Sequence, residues 1–206
     1  MKKYFVYIAG FVAAMLGAVV FNHFSQLPPP EHALYYQQPR AIKAFELTDH
    51  NGQSFTKEQL TGKWSLVFFG YTSCPDVCPT TLQNLGFIYD DLKAIASNSQ
   101  VLLVTVDPQR DTQEKLNQYI TYFNPEFIAL RGGHEVLFPF SRSLGLMYAI
   151  NGEGDNYLVD HSASLVLINP DGNIVAIFKP EQALGKVPSI DNDKLLSDYQ
   201  KIVDLY

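Results

Sequence analysis

Cysteine is nearly missing from this chain of 206 residues: there are two, Cys74 and Cys78, and both stand in one short motif. A disulfide framework is therefore excluded, and the fold must stand on packing. Positive charge is also scarce, with 15 Lys and Arg against 21 Asp and Glu and a formal net charge of −6. No Lys/Arg run occurs, so electrostatics gives no reason to expect a nucleic-acid partner. Internal repeats and low-complexity tracts are lacking too. What remains is globular in composition, 47% hydrophobic and 17% charged. The length suits one domain of about 150 residues plus appendages.

One long uncharged run is present. It extends from Tyr4 to Phe21 behind Lys2 and Lys3, and as a helix it would span about 27 Å, close to the hydrocarbon thickness of a bilayer. Val19-Val20-Phe21-Asn22-His23 offers no small-x-small cleavage site, so the run is expected to be an uncleaved anchor. The two lysines keep the N-terminus in the cytoplasm and place the rest of the chain on the periplasmic, extracytoplasmic side of the inner membrane in a single pass. Residues 22–40, rich in proline and polar side chains, are expected to form a spacer. His23 and His32 lie in it as solvated side chains. Residues 41–206 then form the globular domain.

Within that domain, Asn51-Gly52 between two apolar-alternating runs predicts a hairpin. Trp64 to Phe69 is a continuous β-prone run that reads as a buried central strand. Leu82, Leu85, Phe87, Ile88, Leu92 and Ile95 recur at helical spacing and predict a helix from about Val77 to Ser97. The run from Val101 to Asp107 predicts a second buried strand. A helix capped by Asp111 or Thr112 follows it, with Leu116, Tyr119, Ile120 and Phe123 on one face. A short strand over Phe127 to Leu130, a helix over Glu135 to Leu144, a hairpin about Asn169 to Gly172 and a helix over Ile190 to Leu205 complete the order. Strands alternating with helices before a closing hairpin and helix imply an α/β fold with a mixed sheet. A βαβ crossover with cysteines at the first strand–helix junction is the thioredoxin-like arrangement, whose chemistry belongs at the carboxyl ends of the parallel strands.

The cysteines sit in Cys74-Pro75-Asp76-Val77-Cys78 with Pro79 after them. On a helix, residues four apart share a face with Cα atoms about 6.2 Å apart. That is near the upper end of the disulfide range of roughly 4.4–6.8 Å. Two thiolates on one metal make looser demands, so the three-residue gap leans toward metal without excluding a redox pair. The junction aims unpaired backbone N–H groups at sulfur and lowers thiol pKa values. A permanent staple is the weakest reading, because so short a loop removes little chain entropy. Two thiolates suit Cu(I), and a nitrogen ligand widens the choice to Cu(II) or Zn(II). His161, just before a β-rich run, is the candidate for that nitrogen.

With Cys74-Pro-Asp-Val-Cys78-Pro79, Asp107-Pro-Gln-Arg-Asp111-Thr112 and Asp160-His161-Ser162, the chain resembles the Sco/SenC family from about Phe45 to Tyr206. The family comprises membrane-tethered, thioredoxin-like copper-binding proteins of cytochrome c oxidase assembly. The resemblance implies copper as the cargo and Cys74, Cys78 and His161 as its ligands. It also implies delivery to, or redox maintenance of, the copper site on oxidase subunit II. The Asp107 to Thr112 segment is family-typical. Its own residues read as a strand end followed by a capped helix, with a role near the metal for Asp107 or Asp111 as the alternative. Asp160 should point away from the face that His161 uses. His134 is an addition to the family pattern and reads as a surface-loop residue, and the polar turn from Gly152 to Asn156 is available for partner contacts.

The alternative function is that of a thiol–disulfide oxidoreductase, with Cys74 attacking and Cys78 resolving. Against it, the usual two-residue spacing is missing, and no proline precedes the strand beginning at Ala163. A peroxidase-like reading rests only on Thr72 and Thr81, which are too unspecific to carry it.

Overall fold

The computed structural model describes residues 28–152, 157–182, 185 and 187–206, with residues 4, 7, 10–12 and 14–17 of the N-terminal run. Among the described residues no helix is long and apolar enough to cross a membrane. The anchor expected over 4–21, the linker histidine His23 and most of the polar turn 152–156 lie largely outside the described residues.

Ten strands and five α-helices make up the described domain. In chain order they are β1 (Leu34–Ala41), β2 (Glu46–Asp49), β3 (Ser54–Thr56), β4 (Trp64–Gly70), α1 (Val77–Phe87), α2 (Tyr89–Ile95), β5 (Ser99–Thr105), α3 (Gln113–Phe123), β6 (Ile128–Arg131), α4 (His134–Ser143), β7 (Tyr148–Asn151), β8 (Leu158–His161), β9 (Leu165–Ile168), β10 (Asn173–Phe178) and α5 (Asn192–Leu205). Eight strands form one sheet in the order β1-β10-β9-β4-β5-β6-β2-β3, while β7 and β8 pair only with each other. β4 runs parallel to β5 and antiparallel to β9, so the sheet is mixed as expected.

Every residue of β4 and of β5 is buried, which is why both read as unbroken β-prone runs. Phe68 and Phe69 are almost fully buried in β4, and burial of each contributes about 1.5–3 kcal/mol. The two expected hairpins form. Gly52 at φ +84 and Gly172 at φ +71 take the left-handed conformations that their turns require.

Three expectations need correction. The single helix expected from Val77 to Ser97 is two helices, broken at Ile88, whose N–H donates to the carbonyls of Asn84 and Gly86. A Cβ on Gly86 would stand 3.3 Å from the Phe123 carbonyl. The break lies two residues past this close approach to α3, and periodicity registers neither. The β7–β8 hairpin was not expected, because Tyr148–Asn151 and Leu158–His161 alternate only weakly. The sheet also begins inside the stretch expected as spacer.

β1 pairs with β10, and between Tyr35 and Arg40 its register shifts. Such a bulged edge strand, containing Pro39, carries little periodic signal. Its entry is fastened by Asp198 of α5, a fully buried carboxylate that accepts backbone N–H bonds from Glu31 (2.9 Å), His32 (2.6 Å) and Ala33 (2.7 Å).

Candidate metal centre

The carboxyl end of β4 opens onto the cysteine loop. Asp76 occupies the N-cap of α1, yet its side chain makes no capping bond. The Cys74 sulfur takes that place and accepts the backbone N–H of Cys78 at 3.4 Å. Free donors at a helix start favour negative charge on the atom facing them. Cys78 is fully buried and Cys74 half-buried, and both are free thiols. The sulfur of Cys78 lies against the chain itself: a Cβ on Gly70 would meet it at 2.9 Å. Only glycine permits the strand end to pass so close to the thiol.

The two thiols are electrostatically unlike. The hydrogen bond donated by Cys78, helped by the backbone N–H groups of Cys78 and Asp76, lowers Cys74 to about 4. Cys78 moves upward, because it holds the shared proton against the Cys74 sulfur and because it is buried. Cys74 is therefore the thiolate and Cys78 the thiol of a coupled pair.

His161 ends β8 and reaches the cysteines from the other side. Its Nε2 stands 3.3 Å from the Cys78 sulfur. Its Nδ1 is 3.2 Å from the Ser162 carbonyl; a carbonyl only accepts, so Nδ1 carries the hydrogen and Nε2 presents its lone pair. Phe68 and Tyr71 hold the ring edge-on, at centroid distances of 5.9 and 5.8 Å. One donor atom each from Cys74, Cys78 and His161 lies within 4.8 Å of the others. A borderline-soft S₂N donor set of this size fits a single thiophilic ion.

The acidic pair of the 107–111 segment does not join that cluster. Asp111 is fully buried and accepts from the Thr72 N–H (3.1 Å), the Thr72 hydroxyl (2.6 Å) and the Thr105 hydroxyl (2.6 Å). It fastens the start of the cysteine loop, and capping of α3 passes to Thr112, whose hydroxyl accepts the Lys115 N–H at 3.2 Å. Asp107 bonds to Tyr157 and Arg110. Asp160 is exposed and accepts from Asn151, away from the ring of His161.

His134 differs from the expectation of a surface-loop residue. It is the first residue of α4, half-buried, with Nδ1 2.9 Å from the Tyr148 hydroxyl. His32 contributes its backbone N–H to Asp198 and is not in the cluster. Thr81 donates to the Val77 carbonyl within α1. Sequence reasoning missed Gly70, Tyr71, Tyr148 and Tyr157. Only Gly70, a glycine closing a buried strand next to the motif, gave a signal that could have been read.

Fold and cluster together define a thioredoxin-like α/β protein with a Cys–Cys–His centre at its first strand–helix junction. The family model described as SCO1/SenC matches residues 35–189. A Stutzerimonas stutzeri protein, provisionally named for copper binding, is 42% identical over 146 residues, 69% of this chain and 71% of that protein. An SCO2-like protein of Rickettsia typhi is 38% identical over 148 residues, 70% of this chain and 73% of its own length. Among solved structures, Arabidopsis thaliana ScoI with copper bound superimposes with a TM-score of 0.71 at 32% identity, covering 80% of this chain and 99% of that one. This chain belongs to the SCO1/SenC family.

Proposed function

We propose that the protein is a membrane-tethered copper chaperone. Cys74, Cys78 and His161 hold Cu(I) or Cu(II) as cargo and pass it by ligand exchange to the copper site of cytochrome c oxidase subunit II. The observation that carries this reading is the convergence of the three donor atoms within 4.8 Å. The relative named for copper binding, and a similar structure holding copper, support the same ion. Half-exposed Cys74 is the ligand an acceptor's sulfur reaches first, while Cys78 stays behind it. Residues 1–21 are the anchor of this proposal and leave the domain on the periplasmic side. The spacer then ends where Asp198 takes hold of Glu31.

The test is copper affinity of the full chain in detergent, compared with Cys74→Ser/Cys78→Ser and with His161→Ala. Tight binding by the wild type, weakened by either change, is expected. Wild-type binding no tighter than that of the double serine variant would sink the proposal.

A second reading has its own observation, the unequal thiols. A Cys74 thiolate beside a protonated Cys78 thiol is arranged for disulfide exchange. Cys74 would attack a partner disulfide and release one partner thiolate, which takes up a proton. Cys78, giving up its proton, would then close the Cys74–Cys78 disulfide and release the second. His161→Ala separates the roles: it should abolish copper transfer and spare exchange. The roles are compatible in alternation, since the oxidised pair offers no thiolates to a metal.

A further inference from the structure

The main sheet does not place His161. Its hairpin, β7–β8, forms a separate two-stranded sheet with no ladder to the eight-stranded one among the described residues. Beyond the Phe68 and Tyr71 rings that border His161 itself, side chains hold the hairpin over the cysteines at two further places. At the first, Tyr148, the residue opposite His161 in register, stacks on Phe138 at 4.7 Å and meets His134. The second lies at the far end of β8, around Tyr157.

Tyr157 immediately precedes β8 and is 9% exposed. Its hydroxyl donates to the carboxylate of Asp107, itself 1% exposed, and the other oxygen of that carboxylate accepts from Arg110 Nε. The Arg110 guanidinium lies over the Tyr157 ring at 3.8 Å, and its Nη1 donates to the Tyr157 carbonyl at 3.0 Å. Ring, hydroxyl and carbonyl of one tyrosine are thus held by two residues of the loop after β5. The planar fork of arginine makes the stack and both bonds at once, which a lysine cannot do. Arg110 also approaches the ring of Tyr71, at 5.9 Å, and Tyr71 borders His161.

We propose that Asp107, Arg110 and Tyr157 are positioning residues that latch the β7–β8 hairpin and thereby set how firmly His161 closes over the cysteines. None of the three belongs to the donor cluster. The latch acts only through the histidine, and its effect on copper rests on the reading of His161 as third ligand. Together with Asp111, which fastens the cysteine loop, it makes the 107–111 segment a brace with one carboxylate for each side of the centre.

Two measurements on the full chain test the latch, with Tyr157→Phe and Arg110→Lys. The first needs no metal: amide hydrogen exchange in the reduced protein, comparing Val159 to His161 with Leu66 to Phe69 of β4. Exchange in the hairpin should rise about tenfold, the loss of roughly one net hydrogen bond, with β4 unchanged. An unchanged hairpin, or an equal rise in both segments, overturns the latch.

The second is Cu(I) affinity by competition in a double-mutant cycle with His161→Ala. Tyr157→Phe should weaken binding about tenfold when His161 is present and not at all when it is absent. The same loss in both backgrounds, or no loss in either, overturns the proposal. Wild-type binding no tighter than that of Cys74→Ser/Cys78→Ser would refute the chaperone reading instead, and hydrogen exchange would still decide the latch.

Discussion

The Nε2 of His161 stands 3.3 Å from the Sγ of Cys78, although 83 residues separate them in the chain. The ring is aimed by its own backbone through the Ser162 carbonyl, and the sulfur is pinned by the close passage of Gly70. Each partner is thus held from behind by its own surroundings, so the fold itself sets the gap between them. Such preorganisation lowers the ordering cost of capture.

The reduced pair should titrate unevenly. Cys74 is lowered from 9.0 to about 4 chiefly by the hydrogen bond from Cys78, so it remains a thiolate at neutral pH. Alkylation by iodoacetamide should modify Cys74 first and persist well into the acid range, with Cys78 protected. Because the folded value lies below the unfolded one, the stability linked to this group is complete above the ordinary thiol range. It is lost as the pH falls toward about 4. Urea titrations of the reduced protein between pH 5 and 8 should show stability rising with pH, and Cys74→Ser should flatten that slope. A falling slope would contradict the assignment.

Gly70→Ala places a Cβ 2.9 Å from the Cys78 sulfur, 2.9 Å from Phe68 and 3.1 Å from Leu103. Overpacking of this kind costs about 1–3 kcal/mol. The displaced thiol should also weaken copper binding, measured beside the denaturation midpoint. Unchanged affinity would show that the sulfur has room to move.

Asp111→Asn exchanges one carboxylate oxygen for an amide donor facing two threonine hydroxyls and a backbone N–H. Losing charge-assisted bonds there should cost roughly 1.5–3 kcal/mol. The cysteine loop should loosen with it, read as faster alkylation of Cys78. Protection of Cys78 equal to the wild type would remove Asp111 from the support of the loop.

Asp198→Ala strips the acceptor from three backbone N–H groups at the entry to β1. A loss of about 3 kcal/mol is expected, with earlier proteolysis between Pro28 and Ala41. Thiol reactivity should stay as in the wild type, because the bonds of this carboxylate run to the entry of β1 and not to the cysteine loop. If the N-terminal cleavage pattern did not change, the carboxylate would not be the fastening of β1.

The elements legible in the sequence are those whose environment is uniform. β4 and β5 are buried along their whole length, and α3 and α5 keep one apolar face, so run and period reveal them. β1, β7 and β8 escaped because their letters carry no period of two. β1 is a bulged edge and β7 is exposed after Tyr148; β8 sets Leu158-Val159 beside Asp160-His161, so its alternating burial is not written in its polarity. The two-helix break at Ile88 escaped for a related reason, since both halves face the same core.

By itself the sequence determined the chemistry available. It holds one pair of thiols spaced for one helix face, at the end of a strand too apolar to lie anywhere but the centre, with a histidine before a later strand. The sequence also pointed to His161 as the partner of the thiols. How closely its ring approaches them, which thiol carries the charge and what the two aspartates do were decided only by tertiary structure. Those properties depend on distances between segments far apart in the chain. His134 and His161 differ little as letters; one is tied to Tyr148, while the other faces sulfur because Phe68, Tyr71 and Ser162 turn it there.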